Sequence, residues 1–313
     1  MSVQESQSAH SVLMVRPASF SFNPQTAETN AFQQQQGAKK LAPEAVLREF
    51  ELAAAQLRRA GVAVIVANDT PEPAKPDAIF PNNWVSFHAD GTVVLYPMLA
   101  VNRRRERREE VIAQVAREGS LRISRTVDLT EHESRGQYLE GTGSLVLDRM
   151  ARIAYACLSP RTHLDVLGDF AQQLDYELLT FDAADAAGQP IYHTNVLMAV
   201  GSRFAVVCGE VIGASSQRDA VFARLETTGH EVIDISAPQM NAFAGNVLEL
   251  VGTEGPVAAV STTAWSALGR AQRLMLEKHV GIVCVDIPLI ERSGGGGIRC
   301  MIAEVHLPAR GQS

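Results

Sequence analysis

The sequence predicts an α/β fold in which five hairpin-helix-strand units close into a ring about a pseudo-five-fold axis. Three observations carry this. Four pairs of β-rich runs around short turns begin at Trp84, Ser144, Asn195 and Asn246, spaced 60, 51 and 51 residues apart. Each pair is followed by apolar residues at helical spacing and then by one more β-rich run. The last such run, CMIAEVHL from Cys300, begins 54 residues after Asn246, and pairing it with VLMVRP from Val12 supplies a fifth unit from the two ends of the chain.

The elements follow in order. After the first strand, residues 44–59 place Leu47, Phe50, Ala54 and Leu57 on one helical face, and 62–67 form the third strand of that unit. The hairpin WVSFHADGTVVLYP leads to a helix bearing Val111, Ile112 and Val115 and a strand over 123–129. SLVLDRMARIAYACL leads to Leu164, Leu167, Ala171 and Leu174, then a strand over 176–181. NVLMAVGSRFAVVC leads to Val221, Phe222 and Leu225 and a strand over 231–235. NVLELVGTEGPVAAVS leads to one helical stretch with Trp265, Leu268 and Met275, then a strand over 281–287. One unit alone exposes an apolar face, so closure completes the core. An open α/β sheet with hairpin insertions is the competing architecture, and the regular recurrence favours the ring. Residues 1–11 read as a flexible polar tail before a single domain over 12–313. Residues 18–43, with a Gln run, break the repeat, and a connection of that length reads as a lid loop.

Composition narrows the function. With 28 basic and 35 acidic residues among 313, the net charge is −7, which argues against nucleic-acid or anionic-membrane partners and for a small molecule. No run approaches the ~18 apolar residues of a membrane span, and the start lacks the basic and apolar regions of a signal peptide. The expectation is a cytoplasmic protein, with a homodimer compatible. The four scattered cysteines do not form a disulfide framework.

Polar residues mark the start of each unit's first strand: Asn82 and Asn83, Glu140, His193 and Asn195, Asn246, and Cys300. A ring would bring these positions to one end of its axis, so that a thiol, an imidazole and a carboxylate share a small volume. That is the constellation of an activated thiol nucleophile. Cys300 could instead be a core cysteine, but it follows four glycines at 294–297 that allow backbone to approach a ligand. Cys157, Cys208 and Cys284 lie in apolar runs and read as core. His163, in RTHLD, reads as a helix start, and the RRRERREE run from Arg103 reads as the solvated face of a helix. There is no phosphate-binding or dinucleotide fingerprint, and Cys300, Glu304 and His306 are poorly spaced for joint metal ligation, so neither cofactor nor metal is expected.

The order FPNNW, LEGTGS, SPRT, YHTN and GGGGIRCM resembles the guanidino-group modifying superfamily with the five-bladed α/β-propeller (pentein) fold. VRPASFSFNPQTAETNAFQ and PDAIFPNNWVSFH are most similar to its arginine-deiminase-related branch of citrulline utilisation hydrolases. The resemblance implies Cys300 as nucleophile, His193 as general acid/base, Glu140 as the carboxylate beside them, and Arg161 as partner of a substrate α-carboxylate. Arginine deiminases carry aspartates where this chain has Asn83 and Asn195. A guanidinium only donates hydrogen bonds and calls for carboxylates, whereas a neutral ureido group both accepts and donates, which suits an amide. Asp77 remains available as a carboxylate. The implied reaction is hydrolysis of L-citrulline to ornithine, ammonia and carbon dioxide. An arginine or other guanidino-compound deiminase, an amidinotransferase, and a non-catalytic binding protein of the same fold are the alternatives.

Overall fold

The structure is a computed structural model that describes residues 5–33 and 42–311. Strand β1 (Ser11–Arg16) is buried at its four inner positions. The helix Pro43–Arg59 follows; it opens on a proline, whose missing N–H costs nothing in a first turn, and ends on Arg58 and Arg59, where the helix dipole favours cations. Its buried face of Val46, Phe50, Ala53, Ala54 and Leu57 is the 3.6-residue stripe expected from the sequence. It returns the chain to β2 (Ala63–Asn68), parallel to β1.

The same order recurs. β3 (Val85–Phe87) and β4 (Thr92–Leu95) are antiparallel, and β5 (Arg125–Asp128) joins β4 in parallel after the helix Glu109–Glu118. β6 (Val146–Asp148), β7 (Ile153–Cys157) and β8 (Glu177–Phe181) repeat this around the helix Leu164–Leu174. β9 (Met198–Val200), β10 (Phe204–Val207) and β11 (Glu231–Asp234) do so around the helix Ser215–Thr227. β12 (Leu248–Gly252), β13 (Gly255–Ser261) and β14 (Gly281–Val285) form the next unit. Parallel neighbours need a crossover, which is why a helix separates the second and third strands each time.

β15 (Ala303–Val305) pairs antiparallel with β1, Ser11 opposite Val305 and Leu13 opposite Ala303, so the chain ends do complete a fifth unit. β15 also pairs with β3 through Val305 and Phe87, giving one six-stranded sheet ordered β2-β1-β15-β3-β4-β5 beside three three-stranded sheets. The ladders form four sheets rather than one closed barrel, and four of the five first strands are only three residues long. β9 lies beside both β6 and β12 without a ladder between them. A helical turn precedes four of the five first strands: Pro81–Asn83, Gly141–Ser144, Thr194–Leu197 and Ile298–Met301.

Several expectations change. The single helical stretch around Trp265 is two helices, Thr262–Ala267 and Arg270–Glu277, broken where Gly269 caps the second. Cys157 and Cys208 are buried as expected, but Cys284 is only partly so. Residues 5–11 are not a free tail: Glu5, Gln7, Ser8 and Ala9 are buried and Ser11 is already in β1. The reason is electrostatic. Glu5 Oε1 takes a 2.6 Å bond from Arg149, and Oε2 takes bonds from Arg152 at 2.9 Å and the Tyr176 hydroxyl at 3.1 Å. No helix among the described residues is long and apolar enough to cross a membrane.

Burial raises the Glu5 pKa, but Arg149, His88, His306 and Arg152 outweigh it and hold the carboxyl at about 2. Because the folded value is depressed, its stabilisation is complete above the unfolded value of 4.5 and is lost as pH falls through about 2. Glu5→Gln leaves Arg149 short of a partner and is expected to cost about 3 kcal/mol at neutral pH. In denaturant melts across the acid range, the variant should show a shallower fall in stability than the parent.

Candidate active site

The helical turns at the strand starts carry the residues the sequence singled out. Cys300 lies in the turn Ile298–Met301, His193 caps the turn Thr194–Leu197, and Glu140 caps Gly141–Ser144. Asn83 closes the turn Pro81–Asn83. Cys300, His193, Asn83, Asp77 and Arg161 line one cavity with Arg103, Tyr192 and the glycines 294–296. Glu140 lies directly behind it. The structure therefore gathers these sequence-predicted residues from separate units.

Glu140 has no solvent exposure, and each of its oxygens is engaged. Oε1 accepts from the Leu99 backbone N–H at 3.1 Å; Oε2 accepts from His193 Nε2 at 2.9 Å and Arg161 Nη1 at 3.3 Å. Burial alone would raise its pKa, but Arg161, the His193 hydrogen bond and Arg103 hold it well below the usual carboxylate range. The same burial pushes the His193 imidazole down to about 4, against the Glu140 hydrogen bond and with help from the charges of Arg161 and Arg103. At neutral pH the pair is thus carboxylate and neutral imidazole. With Nε2–H committed to Glu140, the lone pair is on Nδ1, as the orienting role of such a carboxylate requires.

Cys300 Sγ receives two side-chain amides, Asn246 Nδ2 at 3.3 Å and Asn195 Nδ2 at 3.6 Å. Burial pushes the thiol pKa up, opposed first by the Asn246 bond, then by the nearby Arg299 charge and the Asn195 bond. Asn195 therefore faces the sulfur. Asn246 marked a unit start in the sequence without an assigned role; here its Oδ1 also accepts from the Arg299 N–H at 3.1 Å, which fixes the orientation of its amide.

Arg161 sits under the described part of the predicted lid. Its Nη2 donates to Thr26 O and Thr29 Oγ1, both at 2.7 Å, and its Nε donates to Thr29 Oγ1 at 2.9 Å. Thr26 and Asn30 line the cavity, which at about 20 Å³ holds roughly one water. Residues 34–41 of that segment lie outside the described residues. Asp77 Oδ2 accepts from Asn23 at 2.7 Å and Thr26 at 3.1 Å, so it anchors the same segment.

The charge run from Arg103 corrects a sequence expectation. Arg103 and Glu106 are buried in a 3-10 helix, Val101–Glu106, and paired at 2.8 and 2.9 Å, while Arg104, Arg105 and Arg107 are more exposed. Alternation of charge hid this, because an inward arginine with an acidic partner three residues on has the same pattern as a solvated one. Tyr192, adjacent to His193, was also missed; its hydroxyl donates to Gly295 O at 2.6 Å and its ring lies 4.9 Å from the Arg161 guanidinium. Gly143 carries a packing signal in LEGTGS: a Cβ there would fall 2.5 Å from Asn83 Nδ2 and 2.7 Å from His193 Nδ1. His163 caps its helix through Nδ1, as expected. Glu304 pairs with Arg299, and no metal-ligating group of three occurs among the described residues.

Two substitutions test the geometry. Asn246→Ala removes a donor to the sulfur, worth about 1.5 kcal/mol or more to a thiolate, so the pH midpoint of Cys300 alkylation should rise by about one unit. Gly143→Ala should disable turnover while leaving the protein folded, since the methyl group displaces Asn83 and His193; activity set against circular dichroism checks this.

Residues 16–307 match the family model "N,N dimethylarginine dimethylhydrolase, eukaryotic". No curated protein sequence matches the chain. Among solved structures, the N-terminal domain of ArgZ, an arginine dihydrolase from cyanobacteria, superposes with a TM-score of 0.73 at 15% identity, covering 96% of this chain and 99% of that domain. Unliganded AgrE gives 0.74 at 17% identity, covering 96% of this chain and 40% of AgrE, which is a longer protein. A dimethylarginine dimethylaminohydrolase variant bound to S-methyl-L-thiocitrulline gives 0.64 at 13% identity, covering 95% and 99%. With a match that spans almost the whole chain, this protein belongs to the dimethylarginine dimethylhydrolase family of the pentein superfamily of guanidino-group modifying enzymes.

Proposed function

We propose that this protein is a cysteine hydrolase of the terminal C–N bond of a ureido amino acid, L-citrulline, and that its five units act as the blades of an α/β-propeller with the site at one end of the axis. The observation that supports it most directly is the convergence of Cys300, of His193 oriented by Glu140, and of Arg161 at one cavity. Citrulline is favoured over arginine by the amides of Asn83 and Asn195 where a guanidinium would call for carboxylates. Admission of substrate requires the segment bearing Thr26 and Thr29 to open, and the substrate carboxylate then takes the bonds those residues accept from Arg161.

In the reaction, the Cys300 thiol passes its proton to His193 Nδ1 as the sulfur attacks the ureido carbon. Backbone N–H groups of the glycine run and the Asn83 amide stabilise the tetrahedral species. The His193 imidazolium gives its proton to the departing ammonia, leaving an S-thiocarbamate on Cys300. Neutral His193 then deprotonates water, which attacks the same carbon and releases the thiol. The carbamate formed decomposes to ornithine and carbon dioxide.

The family match and the arginine dihydrolase relatives favour a second reading, in which a guanidino compound is the first substrate; Asp77 at the cavity could serve its cation. Product analysis with citrulline, arginine, dimethylarginine and agmatine separates the two, ornithine and ammonia from citrulline being expected. His193→Gln should lower kcat by about 10²–10⁴-fold, and in intact-mass spectra of the unmodified enzyme quenched during turnover of citrulline an adduct of citrulline less ammonia should appear that Cys300→Ala lacks. Full citrulline turnover by Cys300→Ser would refute the covalent route.

A further inference from the structure

Residues 5–9 cross the ends of the first strands that lie away from the cavity. Glu140, His193 and Cys300 stand before β6, β9 and β15, whereas the contacts of this segment fall at the last residues of β6 and β9 and just beyond β3. The segment passes from one sheet to the next where no ladder joins them. Glu5 binds Arg149, Arg152 and Tyr176 around β6, β7 and β8, and stands 3.9 Å from His88, which follows β3. Ser8 Oγ donates to Glu249 Oε1 of β12 at 2.5 Å, and the same carboxylate takes the Ser202 backbone N–H, after β9, at 3.0 Å. Ala9 O accepts from the Val251 N–H of β12 at 3.0 Å, just before β1 begins.

Gln7 is buried at the junction between β6 and β9. Its amide nitrogen donates to Leu147 O of β6 at 2.9 Å and to Val200 O of β9 at 3.0 Å, while Oε1 accepts from the Arg149 N–H at 2.8 Å. The Arg149 donor fixes which end of the amide faces the two carbonyls. At the cavity end the same junction is crossed by the His193–Glu140 bond at 2.9 Å and by the Thr194 hydroxyl on Ser144 O at 2.5 Å. Each strand is three residues long, so a shift at one end reaches the other within about 10 Å.

We infer that Gln7 is a positioning residue for the His193–Glu140 pair, the link of an N-terminal clasp that sets the spacing of β6 and β9 from the end remote from the cavity. Adjacent strands without a ladder can splay, and a hydrogen bond weakens steeply once its partners move out of line. The imidazole then loses the partner that keeps its proton on Nε2, although nothing in the cavity has been altered. Removing the Gln7 amide also leaves two buried carbonyls without a donor, which drives the strands apart and toward water.

Proton NMR of the His193 Nε2–H, assigned by its absence in His193→Gln, tests this. The resonance is read without substrate, so its outcome stands apart from the substrate proposed above. In the parent the proton should exchange slowly with water. Gln7→Met keeps the length of the side chain but has no donor, and should speed that exchange by about tenfold, the factor one hydrogen bond commands. Val115→Ala opens a cavity under the helix Glu109–Glu118, in a cluster that includes neither β6 nor β9, and should lower stability while leaving the exchange rate as in the parent. If Gln7→Met does not fold, Gln7→Asn serves, since it keeps the amide on a side chain too short to span both carbonyls. An unchanged rate in the folded Gln7 variant, an equal acceleration in Val115→Ala, fast exchange in the parent, or failure of both Gln7 variants to fold overturns the assignment.

Discussion

A carboxylate with no contact to solvent persists only if its neighbours supply the donors that water no longer does, and Glu140 is in that position. The backbone of Leu99, the imidazole of His193 and the guanidinium of Arg161 supply them, with Arg103 3.9 Å away. Each comes from a different stretch of chain, so ionised Glu140 ties together parts of the molecule that the sheets alone hold apart. It also fixes which imidazole nitrogen keeps its proton. Had Glu140 been neutral, His193 would lose its orientation and Arg161 a buried counter-charge.

The architecture around this carboxylate repeats one device. A short helical turn feeds a three-residue strand; Asn83, His193 and Cys300, from three such turns, line one cavity, and Glu140, before a fourth, bonds His193 from behind it. Short strands keep the turns close together, and Gly143 removes the side chain that would otherwise separate Asn83 from His193. The buried Glu140 carboxylate is held by a backbone N–H, an imidazole and a guanidinium. The Thr26 and Thr29 oxygens on Arg161, by contrast, are neutral acceptors, which a charged carboxylate from a substrate can replace with gain.

The repeat, the helix faces and the pairing of the two chain ends were legible in the sequence because hydrophobic periodicity and turn residues are local signals. The proximity of Cys300, His193 and Glu140 was legible because they stand at equivalent places in the repeat. The roles of Arg103 and Tyr192 were not, since charge alternation and an aromatic beside a histidine look the same on a surface as in a core. The N-terminal residues were misread for a similar reason: MSVQESQ is polar, and only the partners Arg149, Arg152 and Tyr176 make burial of Glu5 favourable.

By itself the sequence determined the unit, its repetition and which polar residues stand at equivalent places in it, all of which depend on residues near one another in the chain or on spacing between units. Tertiary structure decided how those groups are tuned: which amides face the sulfur, which nitrogen of His193 is free, and which end of Asn83 is available. These depend on directions of hydrogen bonds between residues 20 to 105 positions apart. Hydrogen bonds are directional and burial removes water as a substitute partner, so the tuning exists only once the chain has closed around it.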